Sequence, residues 1–173
     1  MTTADRHDTG ALFARCAEYN RWINAHLYAV CARMSDAERR RDLGAFFRSL
    51  HGTLNHLLLT DRVWLGRFTG QPFAVTSLGD ELYADFAELH AARTLTDTAW
   101  IDYIAVLPAS ALDSEFSYVS LVTRSERRYR LRDVLLHVFN HQTHHRGQLT
   151  ALIAQLGHDY GDIDLIAMPG VTL

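Results

Sequence analysis

Lysine is missing altogether from this 173-residue chain: all 17 basic side chains are arginine. A Schiff-base lysine and a phosphate-loop lysine are therefore excluded, and with them pyridoxal enzymes, lysine-dependent aldolases and P-loop NTPases. Cysteine is almost as scarce, with only Cys16 and Cys31 and no CxxC pair. That excludes a disulfide scaffold and argues against an iron–sulfur or multi-cysteine zinc site. The two thiols read as reduced, half-buried packing residues of a cytosolic protein. No run of 18 apolar residues occurs, which rules out a helical membrane span. The first ten residues are polar and carry no apolar signal region, so the expected location is cytoplasmic. Excess positive charge is lacking too. A net charge of −3 and a pI near 6.3 argue against a general nucleic-acid binder. Arginines do gather locally, at Arg39–Arg41 and from Arg124 to Arg132, where a solvated surface is the plain reading and recognition of a carboxylate-bearing substrate the functional one.

The three prolines, Pro72, Pro108 and Pro169, leave long stretches free to be helical. From Thr9 to Met34, apolar residues recur at three- and four-residue steps and predict an amphipathic helix. Ser35 with Glu38 three residues on has the form of a capping box. A second long helix is expected from about Ala45 to Phe68, ended by Gly70 and Pro72, with Thr69 to Leu78 as a loop. Ser77 or Asp80 starts a third, running to Arg93, with a break at Thr94, Thr96 and Asp97 before it continues to Leu107. Ser114 to Tyr129 is rich in aromatic and β-branched residues and predicts a hairpin or extended excursion. The last helix spans roughly Leu131 to Leu156, with Gly157 as its stop. The tail from His158 is expected to be irregular and packed on the helices. With 48% hydrophobic residues and no linker, residues 1–173 read as one all-α domain, an antiparallel four-helix bundle with a short excursion before the last helix.

What the chain has in excess is histidine: ten residues, four of them between His137 and His145. At about 100° per residue, Leu131, Val134, Val138, Leu149, Leu152 and Leu156 form an apolar stripe about 60° wide. His141 and His145 fall on or beside it, one helical turn apart, a spacing at which two imidazoles reach one divalent ion. Hydrogen bonds to facing helices are the simpler explanation for a lone buried histidine; an i, i+4 pair flanked by further histidines favours metal. The metal reading needs another ligand from another helix, and His26, His51, His56 and Asp61 are the candidates. Asp61 lies near the middle of the second helix's apolar stripe and His56 well off it, but each bundle helix faces two neighbours, so periodicity does not choose between them. Asp61 is equally a salt-bridge partner for Arg62, Arg67 or another arginine.

The segment Asn55-His56-Leu57-Leu58-Leu59-Thr60-Asp61-Arg62-Val63-Trp64-Leu65, together with His137-x-x-Asn140-His141-x-x-His144-His145-Arg146-Gly147-Gln148, resembles the DinB family. Tyr19-Asn20-x-Trp22 matches that family's opening pattern, and the resemblance extends over about residues 10 to 165. It implies a four-helix bundle with a three-histidine site for Zn or Ni, ligated by His56, His141 and His145. Asp61, His137, Asn140, His144 and Gln148 would then orient the ligands or wall the site. Three neutral imidazoles leave a coordination position open, as catalytic sites do.

The resemblance further implies a thiol-dependent activity, so the expected function is that of a metal-dependent enzyme, an S-transferase using a low-molecular-weight thiol or a related hydrolase, acting on a small-molecule substrate. A metal-binding or stress-response protein without turnover is the alternative from another class, and a purely structural bundle with a hydrogen-bonded histidine core is the third. By the same analogy the chain is expected to form a homodimer, since Trp22, Tyr28, Phe46, Phe47, Trp64, Phe86 and Trp100 offer more aromatic surface than one four-helix core need hold.

Overall fold

A computed structural model describes residues 3–171. Four long helices carry the fold: α1 (Thr3–Ala32), α3 (Leu50–Thr69), α4 (Phe86–Val106) and α5 (Leu131–Gln155), with a five-residue α2 (Asp36–Arg40) after α1. Each long helix packs against two others, in the cyclic order α1, α4, α3, α5. Contacts along the pairs fix their sense. Asn24 meets Asp97 while Tyr28 meets His90, so α1 and α4 run antiparallel. The α3–α5 pair is antiparallel as well, with His56 near His145 and Trp64 near His137. Between α3 and α4 the sense is parallel, since Asp61 meets Arg93 and Phe68 meets Trp100. α1 and α5 also run parallel, Phe13 against Phe139 and Asn20 against Arg146. The long connection between α3 and α4 makes this up-down-down-up order possible, because it returns the chain along α3 before α4 begins.

Helix boundaries differ from the sequence expectation where loop chemistry intervenes. α1 starts at Thr3, ahead of Thr9. α3 starts at Leu50 and not at Ala45, because the Ser49 hydroxyl accepts the Gly52 amide (3.1 Å) and caps the helix there. The preceding residues form a tight turn in which Arg48 takes a left-handed φ of 67°. α4 begins after Asp85, whose carboxylate accepts from the Glu88 amide, and not at Ser77 or Asp80. Those two residues instead close a turn, in which Asp80 accepts the amides of Thr76 and Ser77.

The expected break at Thr94, Thr96 and Asp97 is absent, and α4 is continuous. Thr94 and Thr96 donate their hydroxyls to carbonyls four residues back, and Asp97 pairs with Arg93 one turn away, so none competes with the helix. α2 carries the complete Ser35–Glu38 capping box.

The excursion before α5 is a short 3₁₀ turn (Ala109–Asp113) and an antiparallel hairpin, β1 (Glu115–Val119) with β2 (Glu126–Arg130), in which Phe116 faces Tyr129 and Tyr118 faces Arg127. Phe116 and Tyr118 lie on one face of β1, and that face lies on α3, Phe116 against Phe68 and Tyr118 against Trp64. The tail is pinned to α1: the Tyr19 hydroxyl donates to the Ile163 carbonyl (2.6 Å) and His26 Nε2 to that of Tyr160 (2.6 Å). Among the described residues no helix is long and apolar enough to cross a membrane.

Two apolar clusters fill the bundle, one around Ile23, Leu27, Leu54, Leu58 and Ile153, the other around Trp64, Trp100, Leu135 and Phe139. Polar residues from all four helices meet inside it. Arg93 pairs with Asp61 and Asp97, both at 2.8 Å. Asn24 donates to Asp97 (2.9 Å), Gln142 to Asp61 (2.6 Å), and Arg146 to Asn20. Burial raises the pKa of both carboxyls and lowers that of Arg146; it also opposes the charge on Arg93, where Asp97 and Asp61 outweigh it. Two arginines thus face two carboxylates, the arrangement a buried charge requires.

Candidate metal centre

His56 lies in the first half of α3, and His141 and His145 lie one turn apart on α5. The antiparallel α3–α5 packing brings them together, so that one ring nitrogen of each lies within 4.8 Å of the others. The closest pair, the Nε2 atoms of His141 and His145, is 3.1 Å apart. Nitrogens bound at ~2.1 Å to a tetrahedral ion are about 3.4 Å from one another, so the three lie close to a ligating arrangement.

For two of the three rings a hydrogen bond selects which nitrogen is offered. His56 Nδ1–H donates to the Leu78 carbonyl (2.8 Å), leaving its Nε2 as the lone-pair nitrogen. That buried Nε2 has no hydrogen-bond partner among the described residues. His145 Nδ1–H donates to Gln148 Oε1 (2.8 Å), which likewise frees Nε2. Such bonds hold imidazole ligands in one tautomer and one orientation.

Burial pulls the pKa of His56 down to about 4 and that of His141 to about 3, and it lowers that of His145. All three are neutral at pH 7, the form that binds metal. The donor set is all imidazole nitrogen, which suits Zn and Ni better than Mg or Ca. The residues fit a metal.

Phe47 stacks on His56 with ring centroids 3.8 Å apart and meets His145 edge-on at 5.5 Å. It was expected inside the second helix; it belongs to the turn before α3 and walls the site. Leu78, at the end of the expected loop, supplies the carbonyl that orients His56. Neither role has a sequence signal, since both depend on how two irregular segments fold back on α3.

The other sequence candidates lie elsewhere. His26 holds the tail, and His51 Nε2 donates to the Tyr83 carbonyl (2.9 Å). Asp61 belongs to the buried ion network and accepts from Gln142; its arginine is Arg93, not Arg62 or Arg67. His137 is exposed at the edge of the site, its centroid 6.0 Å from that of His141. His144 is exposed and accepts from the Gln148 amide (3.4 Å), so Gln148 bridges it to His145. Asn140 is exposed on the outer side of α5.

Cys31 is buried, which pushes its thiol up to about 12, and burial raises Cys16 too, so neither thiol is activated. Two arginines of the 124–132 cluster are paired with carboxylates. Arg128 pairs with Glu115 and Glu126, and Arg132 with Asp113.

A cleft of about 180 Å³ opens beside the centre, lined among others by His141, His137, Trp64, Arg67, Tyr118 and Leu78. Its hairpin wall covers one side of the histidine cluster.

Three imidazoles from two facing helices of a bundle converge here in a group that could hold a metal ion. The chain belongs to the DinB family, whose model matches residues 5–170. It is 24% identical over 152 residues to Protein DinB of Bacillus subtilis (strain 168), covering 83% of this chain and 88% of that one. A second relative from the same organism, the uncharacterized protein YizA, is 22% identical over 139 residues, with 80% and 84% covered.

Proposed function

We propose that this protein is a metal-dependent enzyme in which His56, His141 and His145 hold one Zn or Ni ion, and that it acts with a low-molecular-weight thiol in S-transfer or, with water, in a related hydrolysis. The observation that carries this reading is the buried, partnerless Nε2 of His56 beside the stacked His141–His145 pair. A buried nitrogen lone pair left unmatched costs about 1–3 kcal/mol, and metal coordination removes that cost. A divalent ion so bound would act as a Lewis acid, lowering the pKa of a thiol or water.

The chain's own residues prepare for that chemistry. Leu78 and Gln148 fix the ligand tautomers, and Phe47 shields the back of His56. Trp64 and Tyr118 line the cleft beside His141. His137 lines the same cleft, and its pKa is lowered by partial burial. Neutral at pH 7, it takes the proton that the substrate thiol releases, at its unprotonated ring nitrogen.

Elemental analysis of untagged protein tests the metal, with about one Zn or Ni per chain expected. Calorimetry with common cellular thiols, followed by turnover with a thiol and an electrophile, tests the enzyme. Protein that stays metal-free in excess Zn and Ni rejects the whole reading; stoichiometric metal with no thiol binding and no turnover leaves a non-catalytic metal-binding protein. The assembly we propose is a homodimer packed through the bundle helices.

A further inference from the structure

We propose that Arg67 is a substrate-binding residue that takes a carboxylate, so that the cleft beside the three histidines accepts small molecules carrying a negative charge at the end away from the metal centre. Arg67 projects from the last turns of α3 and is half-buried against two rings that meet edge-to-face, its guanidinium carbon 4.5 Å from the centroid of Trp64 and 4.5 Å from that of Tyr118. Its one hydrogen bond given by the structure is a donation to the Val119 carbonyl at 3.3 Å. No carboxylate among the described residues lies within ion-pair distance of it, unlike Arg93, Arg128 and Arg132. Partial burial also lowers its pKa, the mark of a cation short of an anion.

The guanidinium fork has five N–H donors in one plane, which suits a planar carboxylate, and its contacts with both rings hold it at the cleft wall. Arg67 and His141 line the same cleft, and no acidic residue does. The cleft is small, about 180 Å³, below the range of drug-sized ligand pockets. The neighbouring cavity of about 320 Å³, past Trp64, Tyr118 and His137, contains Asp133 and so repels an anion. The negative end is therefore directed to Arg67, and the other end of the molecule reaches His141.

This inference rests on the metal reading only for what happens at the histidine end, and the two are separable. The test is calorimetry of 3-mercaptopropionate against its neutral analogue 3-mercapto-1-propanol, on Zn-loaded wild-type protein and on the Arg67→Gln and Arg67→Lys variants. Zn stoichiometry and the melting temperature are measured for each. The carboxylate is expected to bind at least about tenfold tighter than the alcohol to wild type, the size of a charge-assisted bond. Arg67→Gln should erase that preference with Zn stoichiometry unchanged, and Arg67→Lys should keep part of it.

Equal binding of the two thiols to Zn-loaded wild type overturns the role of Arg67 while leaving the metal centre standing, and this arm needs no folded variant. A preference that survives in a folded Arg67→Gln protein overturns it as well. If no Zn binds but propionate still binds in an Arg67-dependent way, the metal reading fails and the carboxylate site stands.

Discussion

Replacing any one of the three convergent imidazoles leaves two ligands, too few to hold a divalent ion tightly. His56→Ala, His141→Ala and His145→Ala are each expected to abolish stoichiometric Zn or Ni binding by elemental analysis. Gln148→Ala removes the bond that orients His145 and should weaken metal binding by roughly the 10–100-fold typical of such supporting groups. His137→Ala and His144→Ala should keep stoichiometry. Metal loss from His137→Ala with retention in His56→Ala would show that a different triad binds.

At this scale the sequence is legible in part. The i, i+4 spacing of His141 and His145 on an apolar stripe points to their role directly. Periodicity could not choose His56 over Asp61, because α3 uses two faces, one toward α5 and the histidines and one toward Arg93 on α4. The choice came from the family resemblance.

Individual elements are held by local chemistry that sets their boundaries. Glu38 closes the α2 capping box by accepting the Ser35 amide (2.8 Å) and hydroxyl (2.7 Å), and these bonds hold its carboxyl down at about 2. A carboxyl depressed in the folded state stabilises fully above its unfolded pKa, and the contribution is lost as pH falls from about 4.5 toward 2. NMR titration should find Glu38 near 2 and, in Ser35→Ala, higher but still below the ordinary carboxylate range, because the residue-35 amide and His158 remain bonded to it; an ordinary value in wild type would contradict the box.

A second element-scale constraint lies at Gly52, where an added Cβ would meet the Phe47 carbonyl oxygen at 2.2 Å. Gly52→Ala must push the turn carrying Phe47 off His56, at a cost of about 1–3 kcal/mol in denaturant unfolding. Wild-type stability in that variant would mean that the turn has room to move. The sequence showed Ser35 and Glu38 plainly, since a capping box is local. It hid the early end of the 45–49 turn and the continuity of α4. There Ser49, Thr94, Thr96 and Asp97 each had two uses, and only the neighbours in space decide between them.

For the molecule as a whole, the proposed dimer predicts a mass near twice the 19.6 kDa of the chain by light scattering at micromolar concentration, and a mass near that of one chain rejects it. Folding did not bury all the aromatic surface: Tyr28, Trp64 and Trp100 are buried, but Phe46 is 84% exposed beside Phe47, which walls the histidine cluster. The four-helix count was legible from long proline-free stretches. The mixed sense of the neighbours was not, because a chain pattern tells which residues turn inward and not which helix they meet.

Stability also depends on the ion network: Arg93→Met leaves Asp61 and Asp97 buried without their counter-ion, and a loss of about 3–5 kcal/mol is expected by chemical denaturation. A loss below ~1 kcal/mol would mean that water or Arg146 replaces it. The network has a consequence for topology as well. Its members come from all four long helices, at one level of the bundle and with opposite charges balanced. Exchanging two helices, reversing one, or sliding one by a turn would keep most apolar contacts but strand a charge in a dry interior. Apolar packing alone tolerates many such rearrangements; this group of side chains gives each of them an electrostatic penalty. It thereby acts as an address label for helix order, and holds α3 and α5 in the one alignment in which His56 comes opposite His141 and His145.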